Sequence, residues 1–258
     1  MSAEEPSSER TRADAQRVLS LIDLTSLGEN DRPETVDALC DEAVTPYGPV
    51  AAVCIWPRFV ARAVERLSGT GLGVAAVANF PDGADDRALA VADAEAIVEA
   101  GGVEVDVVFP WRSLAAGQAD VGRRLVEVTR NALGDGIVLK VILETGELVE
   151  PELIRRAATE SLDAGADFLK TSTGKTQRSA TPEAARLLLE VIRDRDATAG
   201  VKVSGGVRTT AQALDYLSIA DEVMGPAWVT PSTFRYGASS LLGDVVATLR
   251  GSEAGAER

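Results

Sequence analysis

Short apolar runs of four to nine residues alternate along the chain with longer stretches whose apolar residues recur at helical spacing. The first kind predicts strands at 21–25, 51–55, 73–80, 103–109, 137–145, 168–172, 201–204 and 221–224. The second predicts helices such as 33–43, 84–100, 151–164 and 182–194. In the last of these Leu187, Leu188, Val191 and Ile192 form one apolar stripe, and Thr181-Pro182 offers an N-cap followed by proline in the first turn. Strand and helix in strict alternation is the signature of βαβ units and a parallel sheet. Eight such units in 258 residues predict a (β/α)8 TIM barrel with a short additional N-terminal helix, a doubly wound open sheet being the rival. No Pro/Ser-rich linker divides the chain, so a single domain over 1–258 is expected, with loose ends at about 1–9 and 251–258.

The positions of charge within the strands favour the barrel. Both faces of a parallel strand are buried, so a charge there is costly unless it is paired or functional. In VEVDVVF, Val103, Val105, Val107 and Phe109 share one face and Glu104 and Asp106 the other. By the same period of two, Asp23 pairs with Thr25, Lys140 with Glu144, Lys170 with Ser172 and Lys202 with Ser204. Five strands thus project charge from one face only, as the polar mouth of a barrel requires. Structural ion pairs inside the barrel are the alternative, disfavoured for Asp106, Lys170 and Lys202 because these charges cluster near strand C-termini, where barrel active sites sit.

Composition sharpens this picture. The chain carries 40 acidic and 26 basic residues, a net charge of −14, and no histidine. Without histidine there is no Ser-His-Asp triad and no His-ligated zinc. No metal and no cofactor is expected, and proton transfer falls to carboxylates, lysine, tyrosine or water. The acidic balance argues against nucleic acid or an anionic membrane as partner. No apolar run reaches the ~20 residues of a membrane span. The charged N-terminus has no apolar signal region, and two lone cysteines, Cys40 and Cys54, fit a reducing compartment, so a cytoplasmic location is expected.

Only four of the basic residues are lysines: Lys140, Lys170, Lys175 and Lys202. Three lie within strand runs and Lys175 just after one. Arginine cannot replace lysine where an amine must become neutral, so the placement points to amine chemistry. Lys170 and Lys202 stand on consecutive strands at matching heights, where each should depress the other's pKa. Such a pair activates a Schiff-base lysine, with a carboxylate such as Asp106 to shuttle protons.

The stretches LIDLTSL, AAVCIWPRF, VANFPDG, EVDVVFPWRSLAAG, LKVILETGEL, AGADFLKTSTGK, VKVSGGVRT and YGASSLL, in order over about 21–243, resemble the deoxyribose-phosphate aldolase family. The resemblance implies reversible cleavage of 2-deoxy-D-ribose 5-phosphate to D-glyceraldehyde 3-phosphate and acetaldehyde, so the expected partners are phosphosugar and aldehyde molecules. It implies Lys170 as the Schiff-base residue, Lys202 as the perturbing ammonium, and Asp106 as proton donor and acceptor acting through water. Asp23 and Thr25 match residues around that network, and Thr173, Gly174 and Lys175 face the hydroxyl or phosphate end. Gly205-Gly206, and Ser239-Ser240 at the start of the last helix, offer N–H groups and hydroxyls to a phosphate. Where the family commonly reads Lys-Pro-Ala-Gly-Gly, this chain has Val203-Ser204, which adds a hydroxyl near the Lys202 amine. Asp82 replaces a frequent histidine and receives no role, and the final residues GSEAGAER lack the terminal tyrosine of some members.

Several assignments stay bland. Lys140 is expected to be a structural partner of Glu144 or Glu104. Cys54 is expected to be a small core residue, a substrate-facing thiol being the alternative. Arg208 is expected to form a salt bridge, reach to the phosphate being the alternative, and Trp56, Trp111 and Trp228 to be packing or interface residues. Two other functions remain open: a phosphosugar isomerase or epimerase using Asp106 and Glu144 as acid and base, and a non-catalytic phosphosugar-binding protein. Assembly as a homodimer is also left open.

Overall fold

The computed structural model describes residues 8–256. Eight parallel strands close into a barrel: β1 (Ile22–Thr25), β2 (Ala52–Ile55), β3 (Gly73–Ala78), β4 (Glu104–Val108), β5 (Val138–Ile142), β6 (Phe168–Lys170), β7 (Gly200–Ser204) and β8 (Phe234–Ala238). Each pairs with its sequence neighbours, and β8 closes on β1 through Ile22 opposite Tyr236. Helices fill the crossovers, and an extra helix, Ser8–Leu19, precedes β1 and packs on the last helix, Leu241–Ala256. This is the (β/α)8 barrel that the alternation of the chain predicts. A two-residue ladder, Val44–Thr45 with Gly48–Pro49, lies outside it.

Local chemistry places the helix starts. Prolines occupy the first turn at Pro33, Pro151 and Pro182, where a missing N–H costs nothing. Thr181 Oγ1 accepts from Ala184 N at 3.1 Å, and Thr209 and Gln212 form a reciprocal capping box. The outward strand residues Val105, Val107, Val141, Leu169, Val201 and Val203 are fully buried against the helices. Each such side chain is worth about 1.5–3 kcal/mol on burial.

Two expectations are corrected. The run 221–224 is the end of the helix Thr210–Met224, and the eighth strand is Phe234–Ala238. Phe-Arg-Tyr-Gly-Ala did not read as an apolar run because its inward residues are an arginine and a glycine. The C-terminal segment from Gly251 is helical as far as Ala256 rather than loose, and Ser8 and Glu9 are helical as well. The rest of the expected loose ends, 1–7 and 257–258, lies outside the described residues. Among the described residues no helix is long and apolar enough to cross a membrane.

Candidate active site

The inward faces of six strands carry seven ionisable side chains: Asp23, Glu104, Asp106, Lys140, Lys170, Lys202 and Arg235. All are buried, and six of them form a closed ring of alternating charge. Asp106 Oδ1 accepts from Lys140 Nζ at 2.8 Å, and Lys140 Nζ also donates to Glu104 Oε2 at 2.5 Å. Glu104 Oε1 accepts from Arg235 Nη2 at 3.2 Å, and Arg235 Nη1 donates to Asp23 Oδ1 at 2.5 Å. Asp23 Oδ2 meets Lys202 Nζ at 2.6 Å, and Lys202 Nζ returns to Asp106 Oδ2 at 2.8 Å. Lys140 braces the ring across its middle, 3.7 Å from Asp23 Oδ2.

Three acids and three bases leave this ring neutral. Lys170 is the seventh group, attached by a single bond of 2.8 Å to Asp106 Oδ2. A buried charge is expensive unless compensated, and here the carboxylates are already taken. Burial, joined by the nearby charge of Lys202, therefore lowers the Lys170 pKa even though Asp106 opposes the change. For Lys202 burial also works against the charged form, but Asp106 and Asp23 outweigh it and hold the pKa well above the usual lysine range. Lys140 is raised in the same way, against burial, by Asp106 and Glu104. Burial likewise opposes the charge of Asp106 and Asp23, yet the surrounding cations keep both below the ordinary carboxylate range.

The expectation that the two lysines depress each other is thus corrected. They are register partners on β6 and β7, but Lys202 has two carboxylates and Lys170 has one. The bias is unequal: burial, with the charge of Lys202 behind it, lowers the Lys170 pKa, whereas the carboxylates around Lys202 hold its own pKa up.

Above the ring opens a cavity of about 700 Å³ at the C-terminal ends of the strands, where barrel sites lie. Of the seven charged groups only Lys170 lines it. An amine whose charged form is disfavoured, at the foot of an open cavity, is chemically suited to attack a carbonyl carbon. A second cavity, of about 710 Å³, lies at the opposite end of the barrel and holds none of the lysines.

A family model described as DeoC/LacD family aldolase matches residues 17–242. The chain belongs to that aldolase family. Solved structures agree. A candidate deoxyribose-phosphate aldolase from Coccidioides immitis is 30% identical, with 91% of this chain and 86% of that one covered at a TM-score of 0.80. Another from Toxoplasma gondii ME49 is 27% identical over 93% and 97%, with a TM-score of 0.86. The deoxyribose phosphate aldolase from Aeropyrum pernix is 26% identical over 95% and 99%, with a TM-score of 0.75.

The aldolase gathers most of the sequence-selected residues at one mouth. Thr25, Thr173, Gly174 and Lys175 line the cavity from β1 and the loop after β6. Gly205, Gly206, Ser239 and Ser240 line it from the loops after β7 and β8. Gly237 and Ala238 belong to β8, so Ser239 and Ser240 stand just before the last helix. Lys175 reaches across the mouth and donates to the Leu27 carbonyl at 2.6 Å. Asp23, expected near substrate, lies one layer too deep: it is fully buried in the ring, with Thr25 above it.

Other expectations resolve individually. Lys140 pairs with Glu104 and Asp106, whereas Glu144 turns away from it. Glu144 has a left-handed backbone (φ 54°, ψ 55°), which breaks the strand parity that put the two on one face. Its carboxylate binds Thr173 and Thr176, and neither Glu144 nor Asp106 lines the cavity. Cys54 is buried among Leu27, Ala75 and Val77, with Sγ 3.8 Å from Asp106 Oδ2, and burial pushes its thiol pKa up. Arg208 lines the cavity, and no described carboxylate forms a salt bridge with it. Arg235 is the residue missed by sequence reasoning. Its signal was present, a lone charge between Phe234 and Tyr236 on the opposite parity, but the strand around it went unrecognised.

Proposed function

We propose that the aldolase cleaves and forms 2-deoxy-D-ribose 5-phosphate through a Schiff base on Lys170. The observation that carries this reading is the position of Lys170 as the amine left over by a charge-neutral ring and facing the cavity. Its nitrogen attacks the C1 carbonyl of the open-chain sugar, and the carbonyl oxygen leaves as water after protonation, giving an iminium. The C3 hydroxyl then gives up its proton and C3 becomes an aldehyde. The electron pair of the C2–C3 bond moves into the iminium, which becomes an enamine. Protonation of the enamine at C2 and hydrolysis release acetaldehyde and regenerate the amine.

Lys202 and Asp106 are assigned the proton traffic. Both amines touch the same Asp106 oxygen at 2.8 Å, so a proton stored on Lys202 stands two short contacts from Lys170. Asp106 is too acidic to hold the proton at rest and serves as the bridge. The amine itself supplies the electron sink, so the scheme calls for no metal or organic cofactor.

The phosphate is assigned to the rim formed by Gly205, Gly206, Ser239, Ser240 and Arg208. A chain of net charge −14 repels a dianion at long range, so these contacts must act locally. Release of acetaldehyde and glyceraldehyde 3-phosphate from 2-deoxyribose 5-phosphate tests the reading. Wild-type protein should turn the sugar over and Lys170→Arg should not, with the fold of the variant intact. Turnover by a folded Lys170→Arg protein would dismiss Lys170 as the nucleophile.

A further inference from the structure

Glu144 is a fully buried carboxylate outside the ring, and the mechanism above makes no use of it. It stands at the C-terminal end of β5, and its partners all come from the loop that follows β6. Its Oε2 accepts from Thr173 Oγ1 at 2.5 Å, its Oε1 and Oε2 from Thr173 N at 3.2 and 3.3 Å, and its Oε1 from Thr176 Oγ1 at 3.4 Å. Among the described residues no cation is bonded to it. Burial pushes its pKa up against the bonds from Thr173 and Thr176. A buried carboxylate held by neutral donors in a strained left-handed backbone is a costly way to fix a loop, and such strain collects at functional sites.

The loop it fixes abuts the rim assigned to the phosphate: a side chain on Gly205 would meet Gly174 Cα at 3.5 Å. Gly174 and Lys175 lie between Thr173 and Thr176, and Lys175 N donates to Thr173 Oγ1 at 3.0 Å, extending the hold by one link. A second anchor closes the other end of the segment. Gly146 packs so tightly on the Arg178 carbonyl that a side chain there would collide with it.

We infer that Glu144 is a positioning residue that sets the loop of Gly174 and Lys175 for the phosphate-bearing end of the substrate. The inference rests on the aldol chemistry assigned to Lys170. It predicts a loss confined to phosphorylated substrate, because the ring and its amine are untouched.

Wild type, Glu144→Gln and Gly146→Ala are compared on 2-deoxyribose 5-phosphate and on unphosphorylated 2-deoxyribose, with thermal unfolding recorded for each. Glutamine keeps the shape but cannot accept from two donors on its amide nitrogen. Loss of one or two neutral hydrogen bonds should raise KM for the phosphorylated sugar about five- to thirtyfold, with kcat changed less than about twofold. For unphosphorylated sugar kcat/KM should stay within about twofold. Gly146→Ala, which displaces the same loop from its other end, should show the same split. Equal losses on both sugars, or an unchanged KM, overturn the inference while leaving the aldolase reading standing. Failure of both variants to fold also overturns it, by assigning these contacts to stability alone. A wild-type protein with no adduct on Lys170 and no turnover of either sugar overturns the aldolase reading and this inference with it.

Discussion

Replacing Lys202 by methionine removes a charge that disfavours a proton on Lys170 while preserving most of the side chain's volume. Both nitrogens lie 2.8 Å from Asp106 Oδ2, so they stand at most about 5.6 Å apart. At that separation and an effective dielectric of ~20, the repulsion between two ammonium groups is about 3 kcal/mol. That energy corresponds to roughly a hundredfold in the fraction of neutral amine. Loss of Lys202 also leaves Asp106 with two cations instead of three, which strengthens its hold on a Lys170 proton and acts in the same direction. The Lys170 pKa must therefore rise. Imine formation needs the neutral amine, so its rate climbs with pH through that pKa, and the climb should move to higher pH in Lys202→Met. The assay is the initial rate of borohydride-trapped acetaldehyde adduct across pH, with circular dichroism to confirm the fold. At neutral pH trapping should slow by about two orders of magnitude and recover in alkali. A rising limb at the wild-type position, with rates within about threefold, would refute the electrostatic argument.

The remaining predictions address the ring and the rim. Asp23→Asn leaves Lys202 and Arg235 short of a carboxylate and should destabilise the fold by about 3–5 kcal/mol in denaturant titration. Because the folded pKa values of Asp23 and Asp106 are depressed, the stability they contribute is present above about pH 4 and is lost as pH falls below it, which chemical unfolding at several pH values will show. Gly237→Ala would place a Cβ 3.0 Å from Lys202 Cε and against Ser204 Oγ, so kcat should fall by about ten- to a hundredfold in a folded protein. Arg208→Met should raise KM for phosphorylated sugar about tenfold or more while sparing the unphosphorylated one, as a charge-assisted contact requires.

The barrel was legible because its strands read by period two and its helices begin at prolines and threonines with fixed roles. The amine pair was legible because Lys170 and Lys202 sit at equivalent depths on adjacent strands. Four things were not legible, each for a physical reason. Arg235 occupies the inward position of a strand whose remaining inward residue is glycine, so no apolar run announced β8. The contact between Arg235 on β8 and Glu104 on β4 spans the barrel interior, and adjacency along the chain carries no information about which residues meet across it. The asymmetry of the lysines depends on Asp23 reaching Lys202 and not Lys170, because β7 stands one strand nearer to β1 around the closed barrel, and closure is not written in the order along the chain. Glu144 escaped because a left-handed residue at a strand end cancels the parity on which its assignment rested.

The central claim is that Lys170 alone among the four lysines is the covalent nucleophile. It is tested most directly by incubating the protein with acetaldehyde and borohydride at neutral pH, digesting it, and mapping the reduced adduct by mass spectrometry. The account predicts a single ethylated residue, Lys170, with Lys140, Lys175 and Lys202 unmodified. An adduct on Lys202, or none on any lysine in a protein that still cleaves 2-deoxyribose 5-phosphate, would contradict it.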